Sequence, residues 1–514
     1  MAVTPERRFG VEAHRRERMD RTMQPKIGLL PLYLELYDSA MPEVRPRVDR
    51  FLDTIARELR VRGLEVVDAP VCRVKPEFER AIRSFEEAGA DAVVTLHLAY
   101  SPSLESIEAL AGTRLPIIVL DTTPSFDYGP STDPDELMYN HGIHGVQDMC
   151  NLLIRRGKRF WIEAGHWVES DVLDRIAGAA RSAKTAALMR AARVGRIGEP
   201  FAGMGDFAVE PSDLASIGIE TVTCDLSRLR ELLPAADSPE VEAELASDCE
   251  RFAGDALRSE AHVRSVRAGL AVRRWIDEQK LSAFSMNFLA FTKASGVPVV
   301  PFLEASKAMA RGIGYAGEGD VLTAALVGAL ASVYPDTTFT EMFCPDWGSN
   351  RIYLSHMGEM NLNLPDAKPV LKEMPFPWTD ADAPAIAVGR FRGGNAVLVD
   401  LAPSGSPTVP SGGETNDGKC GAGGSFTLIV APVWMCEITE PDNMEGSIHG
   451  WFEPDMRIAD FLAEYSRAGG THHAALVYGE AAAEIARFGE MMGWRTVVLG
   501  RLGGASGSLP PKSN

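Results

Sequence analysis

The amino-acid sequence predicts an α/β protein, with two domains built on parallel, Rossmann-like sheets followed by a β-rich C-terminal domain. Three observations carry this reading. Short apolar runs alternate with amphipathic stretches from Lys26 to about residue 190, a similar mixture returns over 191–335, and helical periodicity fades after Tyr334. The expected domains are therefore 26–190, 191–335 and 336–514. The chain's 514 residues fit that number at roughly 150 residues per domain.

In the first region Ile27–Leu30 reads as a strand. Val48, Phe51, Leu52, Ile55 and Leu59 then share one helical face, and Gly63 closes that helix before the strand Leu64–Val67. Phe78, Ile82 and Phe85 mark the next helix, Ala92–Leu96 a strand, Leu104, Ile107 and Leu110 a helix, and Ile117–Leu120 a fourth strand ending in Asp121. Strands apolar on both faces imply a parallel sheet covered by helices. A helix from about His144 to Arg156, a strand at Phe160–Glu163 and a helix over Asp171–Ala192 continue the rhythm. Gly-rich text at Arg193–Pro211 marks a boundary. Beyond it come the strand Glu220–Cys224, helical text at about Val241–Glu278, and helices at Phe302–Arg311 and Val321–Val333. The third region offers strand-like runs at Arg351–Leu354, Ala385–Val388, Ala396–Asp400 and Phe426–Ala431, with helices near Ile458–Ala468 and Ala481–Met492. The Gly-, Ser- and Pro-rich stretch Pro403–Gly424 reads as a surface loop, and residues 1–25 as an arm.

Composition narrows the partners. Fifty-two basic against 71 acidic residues leave a net charge of −19, which argues against nucleic acid and anionic membrane and favours a cation or a neutral polar small molecule. No apolar run approaches a bilayer-spanning length. The seven cysteines show no ligand spacing and are odd in number, which fits a reducing cytoplasm.

With cysteine set aside as a ligand, a few residues carry the possible chemistry. Glu318 lies in Gly312-Ile-Gly-Tyr-Ala-Gly-Glu-Gly-Asp320, where the glycines allow close approach of the backbone, and Asp320 is placed to cap the helix beginning at Val321. Glu341 lies in the strand-like Thr338-Phe-Thr-Glu-Met-Phe343, where a carboxylate at a sheet edge would face a cleft. His356 follows in Leu354-Ser-His-Met357, and His472 and His473 follow Gly469-Gly-Thr471 behind a helix C-terminus. Taken singly, each has a plainer reading: a solvated loop carboxylate, a hydrogen-bonded core histidine, a His pair capping the helix before it. The separations match no local metal motif. Two carboxylates with one or two imidazoles nonetheless make a borderline-hard set suited to Mn²⁺, Co²⁺ or Mg²⁺.

Four segments together, Gly312–Ala325, Phe339-Thr-Glu341, Ser355-His-Met357 and Gly469-Gly-Thr-His-His473, resemble the L-arabinose isomerase family of arabinose/fucose-type ketol isomerases, in the family's order and with comparable separations over roughly residues 26–500. The resemblance implies a metal-dependent aldose–ketose isomerase with an enediol intermediate. It places a divalent ion, Mn²⁺ foremost, on Glu318, Glu341, His356 and His473, with Glu318 and Glu341 as the catalytic pair. It also makes His144, in Asn140-His-Gly-Ile-His-Gly145, and His472 contacts to a sugar, and implies a homo-oligomer, trimer or hexamer, with the active site at a subunit interface. Two stretches depart from the family pattern: Leu30-Pro-Leu-Tyr-Leu34 replaces a Gln-His pair, and Met342-Phe-Cys-Pro-Asp346 replaces an aromatic run. Both fall where substrate would be read, so an isomerase of L-fucose or another aldose, or a non-catalytic sugar-binding protein, remains an alternative to one acting on L-arabinose. A nucleotide-binding enzyme is disfavoured, because no GxGxxG follows the first strand.

Overall fold

The structure, a computed structural model, describes residues 23–404, 426–439 and 442–501; most of the arm and of the Pro403–Gly424 stretch lies outside them. The strands are, in chain order, β1 (Lys26–Leu32), β2 (Glu65–Asp68), β3 (Ala92–His97), β4 (Ile117–Asp121), β5 (Phe160–Ala164), β6 (Arg193–Ile197), β7 (Glu220–Cys224), β8 (Ala283–Met286), β9 (Gly314–Gly317), β10 (Thr337–Asp346), β11 (Arg351–His356), β12 (Val370–Glu373), β13 (Ala385–Arg390), β14 (Gly394–Pro403), β15 (Phe426–Met435), β16 (Ile448–Pro454), β17 (His473–Tyr478) and β18 (Arg495–Val498). The described chain falls into two compact units, one from Met23 to Ala187 and one from Leu188 onward.

The first unit is a five-stranded parallel sheet in the order β2-β1-β3-β4-β5. Leu30, Leu32, Val93, Ile117 and Val119 pack beneath Phe78, Phe85, Leu110, Met149 and Leu153 from the helices Lys75–Glu87, Ser103–Gly112 and Ile143–Arg155. β3, the central strand, is buried throughout and ends in His97, whose two ring nitrogens have no protein hydrogen-bond partner. Gly145 is a glycine because that imidazole lies against it: a Cβ there would stand 2.3 Å from His97 Cδ2.

The second unit combines two sheets. The first is four-stranded and parallel, in the order β7-β6-β8-β9. The second contains a ring: β16-β11-β10-β17-β14-β15 pair antiparallel in that order, and β15 pairs back to β16, closing a six-stranded barrel. β13 and β12 extend it beside β16, and β18 beside β15. Leu354, Leu398, Ile429, Met435, Phe452 and Leu476 fill its core together with Phe461 of the helix Ile458–Ala468. The helix Val321–Val333 is buried on nearly every side, as its all-round apolar sequence requires, and packs on β8, β9, β10, β14 and β17, so it joins the parallel sheet to the barrel.

Two expectations are corrected. The helical text at Val241–Glu278 forms two helices, Pro239–Arg251 and Glu260–Gln279. The chain breaks between them because Ala253 donates to Pro369 O and accepts from Leu371 N, bridging to β12, and Ser259 then caps the second helix through His262 N. Glu341 is also not at a sheet edge, since β10 is paired on both sides.

Burial pushes the His97 pKa down to about 3, against a small opposing pull from the Asp148 carboxylate. The ordinary value, 6.5, lies above this, so the unfolded chain takes up the proton first. Stability is complete above pH 6.5 and falls as the pH drops from there toward 3. Between pH 6.5 and 5 the loss is expected to be about 2 kcal/mol, and His97→Leu should remove that component; urea unfolding of the whole chain at the two pH values, read through a probe in the first unit, measures it.

Candidate metal centre

The centre is assembled from the second unit alone. Glu318 follows β9 on a Gly-Glu-Gly turn with φ of 62°, an αL conformation that a non-glycine residue adopts only when it is held. Its amide donates to Met286 O at 2.8 Å and its carbonyl accepts from Phe201 N at 2.9 Å, which pins the residue from both sides. Gly319 continues in the αL region, at φ of 87°, where the chain passes so close to Pro200 that a Cβ would lie 2.7 Å from its Cα. Asp320 then caps the helix Val321–Val333, its Oδ1 accepting from Thr323 N at 2.9 Å.

The barrel supplies the other groups by register. Glu341 on β10 sits opposite His473 of β17 on one side and Ser355 of β11 on the other, with His356 one residue further along. His472 and His473 are not helix caps. Gly469 closes the helix Ile458–Ala468, leaving His472 just before β17 and His473 as its first residue.

Glu318, Glu341, His472 and His473 offer ligand atoms that lie within 4.8 Å of one another, although 155 residues of sequence separate the first from the last. His473 Nε2 is 3.1 Å from Glu341 Oε1 and 3.6 Å from Glu318 Oε2; His472 Nε2 is 3.9 Å from Glu318 Oε2 and 4.0 Å from Glu341 Oε1. His356 reaches the group through Glu341, its Nε2 3.5 Å from Oε1. Phe339 stands edge-on to both His356 and His473, and Phe207 stacks on His473 with ring centroids 4.7 Å apart. His144 belongs to the first unit, exposed in the first turn of the helix Ile143–Arg155.

Each imidazole has a carboxylate on Nδ1: Glu359 on His356 at 2.6 Å, Asp206 on His472 at 2.6 Å and Asp320 on His473 at 2.9 Å. Nδ1 is therefore the protonated nitrogen in each ring, and Nε2 is aimed at the glutamates. Sequence reasoning found Asp320 only as a cap and missed Asp206 and Glu359. Their one local trace is position, Asp206 behind Gly203 and Gly205 and Glu359 three residues after His356.

The electrostatics agree with the geometry. Burial raises the Glu318 carboxyl, but His472 and His473 outweigh it and hold the pKa down at about 2. Burial likewise opposes, and His473 and His356 overcome it, for Glu341, which is lowered. In return, the carboxylates around His473 lift it well above its ordinary value despite its burial, and His356 and His472 are raised. Two buried atoms remain without a hydrogen bond, Glu318 Oε2 and His473 Nε2, and they face each other at 3.6 Å. A buried carboxylate oxygen and an imidazole nitrogen facing each other in this way, with a second carboxylate and further imidazoles beside them, make a donor set that a divalent cation fits on replacing the Nε2 proton.

A profile of the L-arabinose isomerase central domain matches residues 216–334. The chain is 26% identical to L-arabinose isomerase of Nocardioides sp. (strain ATCC BAA-499 / JS614) over 463 residues, covering 85% of this chain and 86% of that one. It is 23% identical to the enzyme of Shouchella clausii (strain KSM-K16) over 498 residues, covering 92% and 93%, and 25% identical to that of Geobacillus thermodenitrificans (strain NG80-2), covering 79% and 80%. Among solved structures, the periplasmic binding protein of the arabinose ABC transporter from Shewanella sp. ANA-3 covers 60% of this chain at 14% identity, with a TM-score of 0.15 that gives it no bearing on the fold. The matches define a class, the aldose–ketose isomerases, which are intramolecular oxidoreductases acting on sugars. Over most of its length the chain is similar to L-arabinose isomerases, and residues 216–334 match that family's central domain.

Asp320→Ala removes a helix cap and leaves the buried Nδ1–H of His473 without an acceptor. A loss of about 2 kcal/mol in urea-denaturation stability is expected, against little change for substitution of the exposed Asp237.

Proposed function

We propose that the chain is a metal-dependent aldose–ketose isomerase that works through an enediol intermediate. The observation that carries this is the facing pair of buried atoms without a hydrogen bond, Glu318 Oε2 and His473 Nε2, inside a cluster of two carboxylates and two imidazoles that His356 joins through Glu341. Glu318, Glu341, His356 and His473 would hold the ion, Mn²⁺ by preference with Co²⁺ or Mg²⁺ as substitutes, while His472 and His144 would meet the sugar. When bound, a divalent cation acidifies the C–H next to a sugar carbonyl and neutralises the charge that develops on adjacent oxygens.

The chain's own residues do the rest. Glu318 and Glu341 are held ionised, so each is ready to accept a proton at neutral pH. One takes the proton from C2 of the aldose and returns it to C1, while the other moves the hydroxyl proton from O2 to O1. The enediol between these steps exchanges no atoms with the protein except those protons. His472, with 38% of its side chain open, is placed to hydrogen-bond a hydroxyl as the sugar enters. Phe207 and Phe339 wall His473 from water.

The reading extends to the assembly and the cell. We take the active molecule to be a trimer or hexamer whose active site lies at a subunit interface, and its compartment to be the cytoplasm. Among the described residues no helix is long and apolar enough to cross a membrane, and the described cysteines form no disulfide.

Glu318→Gln and Glu341→Gln should each abolish ketose formation with the fold intact; turnover retained in both overturns the assignment. Chelation should abolish activity and Mn²⁺ restore it, in a colorimetric ketose assay run over a panel of pentoses and hexoses. Product from L-fucose or another aldose instead of L-arabinose would assign the substrate, and binding without any product would make the chain a sugar-binding protein. His144→Ala is expected to raise KM with kcat changed little.

A further inference from the structure

The three imidazoles share one arrangement, Nδ1 on a carboxylate and Nε2 toward the glutamates, but their supports differ in kind. Glu359, under His356, is fully buried and clamped by the Tyr315 hydroxyl at 2.6 Å and the Gly358 amide at 2.9 Å. Asp320, under His473, is fully buried and clamped by the Thr323 amide. Asp206, under His472, has 37% of its side chain exposed and stands on the segment between β6 and the helix Pro211–Ser216. A single oxygen of Asp206, Oδ2, accepts both from Nδ1 of His472 at 2.6 Å and from its backbone N–H at 3.0 Å. The ring it supports is itself partly open, whereas His356 and His473 are nearly or wholly buried.

We propose that Asp206 is a positioning residue for the isomerisation. It holds His472 with Nε2 presented to a sugar hydroxyl, outside the cage of the cation. The inference rests on the isomerase reading above. A cation ligand must give up water and be braced from more than one direction, as His356 and His473 are by buried carboxylates and by Phe339. His472 lacks that enclosure, and its Nε2 stands further from both glutamates than that of His473. A hydroxyl, in contrast, needs what His472 offers: one bare nitrogen at fixed height, beside carboxylates that also accept. Because Oδ2 takes two N–H donors at once, the group at 206 must be an acceptor there, and an amide oxygen meets that need where a methyl group does not.

The test compares Asp206→Ala, Asp206→Asn and Asp320→Ala in the whole chain, with Mn²⁺ affinity measured by titration and kcat and KM measured on the aldose that the unaltered chain turns over. Asp206→Ala should raise KM and lower kcat/KM by roughly 10- to 100-fold while Mn²⁺ affinity stays within about twofold; Asp320→Ala should lower Mn²⁺ affinity by roughly 10-fold or more. Asp206→Asn should recover most of the lost kcat/KM, and the Asp206→Ala loss should vanish in a His472→Ala background. An unchanged KM and kcat in Asp206→Ala overturns the proposal. A fall in Mn²⁺ affinity in Asp206→Ala equal to that in Asp320→Ala also overturns it, because His472 would then belong to the cation's cage. Failure of the unaltered chain to turn over any aldose would defeat the isomerase reading instead, and the Mn²⁺ titrations would still decide on which side His472 stands.

Discussion

Asp320 is the constraint on which the rest of the site depends. One oxygen of this buried carboxylate caps the helix Val321–Val333 and the other holds His473 Nδ1, so a single side chain ties the start of a central helix to the first residue of β17. The helix runs against both the parallel sheet and the barrel, and its position sets where Glu318 emerges from β9. Glu341 arrives from the barrel by plain cross-strand register beside His473. Two architectures that share no strand are thus brought to one point by one capping bond and one imidazole bond. The negative charge at the helix N-terminus is also favoured by the backbone dipoles there.

Glu318 shows how the site stores conformational cost. An αL glutamate between two glycines is disfavoured by about 1 kcal/mol, and two backbone hydrogen bonds hold it in that state. The result is a carboxylate delivered on a turn too tight for an extended chain, with one oxygen buried and unmet. Phe207 and Phe339 then pack on the His473 ring that faces it.

Local signals were legible in the sequence, and distant ones were not. The helices Val321–Val333 and Ile458–Ala468 could be bounded because Asp320 and Gly469 announce their ends chemically. The alternation of β1 to β5 with helices could be read because the buried strands β1, β3 and β4 are mostly apolar on both faces. Closure of the barrel could not, since the pairing of β15 with β16 is a contact between segments whose own patterns say nothing about partners. The break in the long helical text after Arg251 escaped for the same reason: its cause is a bridge to β12, more than a hundred residues away. At the site, Glu318, Glu341, His356, His472 and His473 were singled out, helped by resemblance, whereas Asp206 and Glu359 were not. An acidic residue that serves another side chain carries no spacing of its own, and only the folded chain shows whom it faces.

The barrel's circular pairing has a consequence for how the protein breathes. A strand at the rim of an open sheet frays from its free side, but in the ring β17 lies between β10 and β14, and β10 is laddered to β17 over Thr337–Glu341 and to β11 from Glu341 onward. The doubly laddered positions, Glu341 and residues 475–477, are shielded by neighbours within the ring, so deuterium should enter there later than at the ends of β10 and β17. Glu341, His356 and His473 therefore take their spacing from a closed hoop of strands, whereas Glu318 is brought to them by its turn after β9.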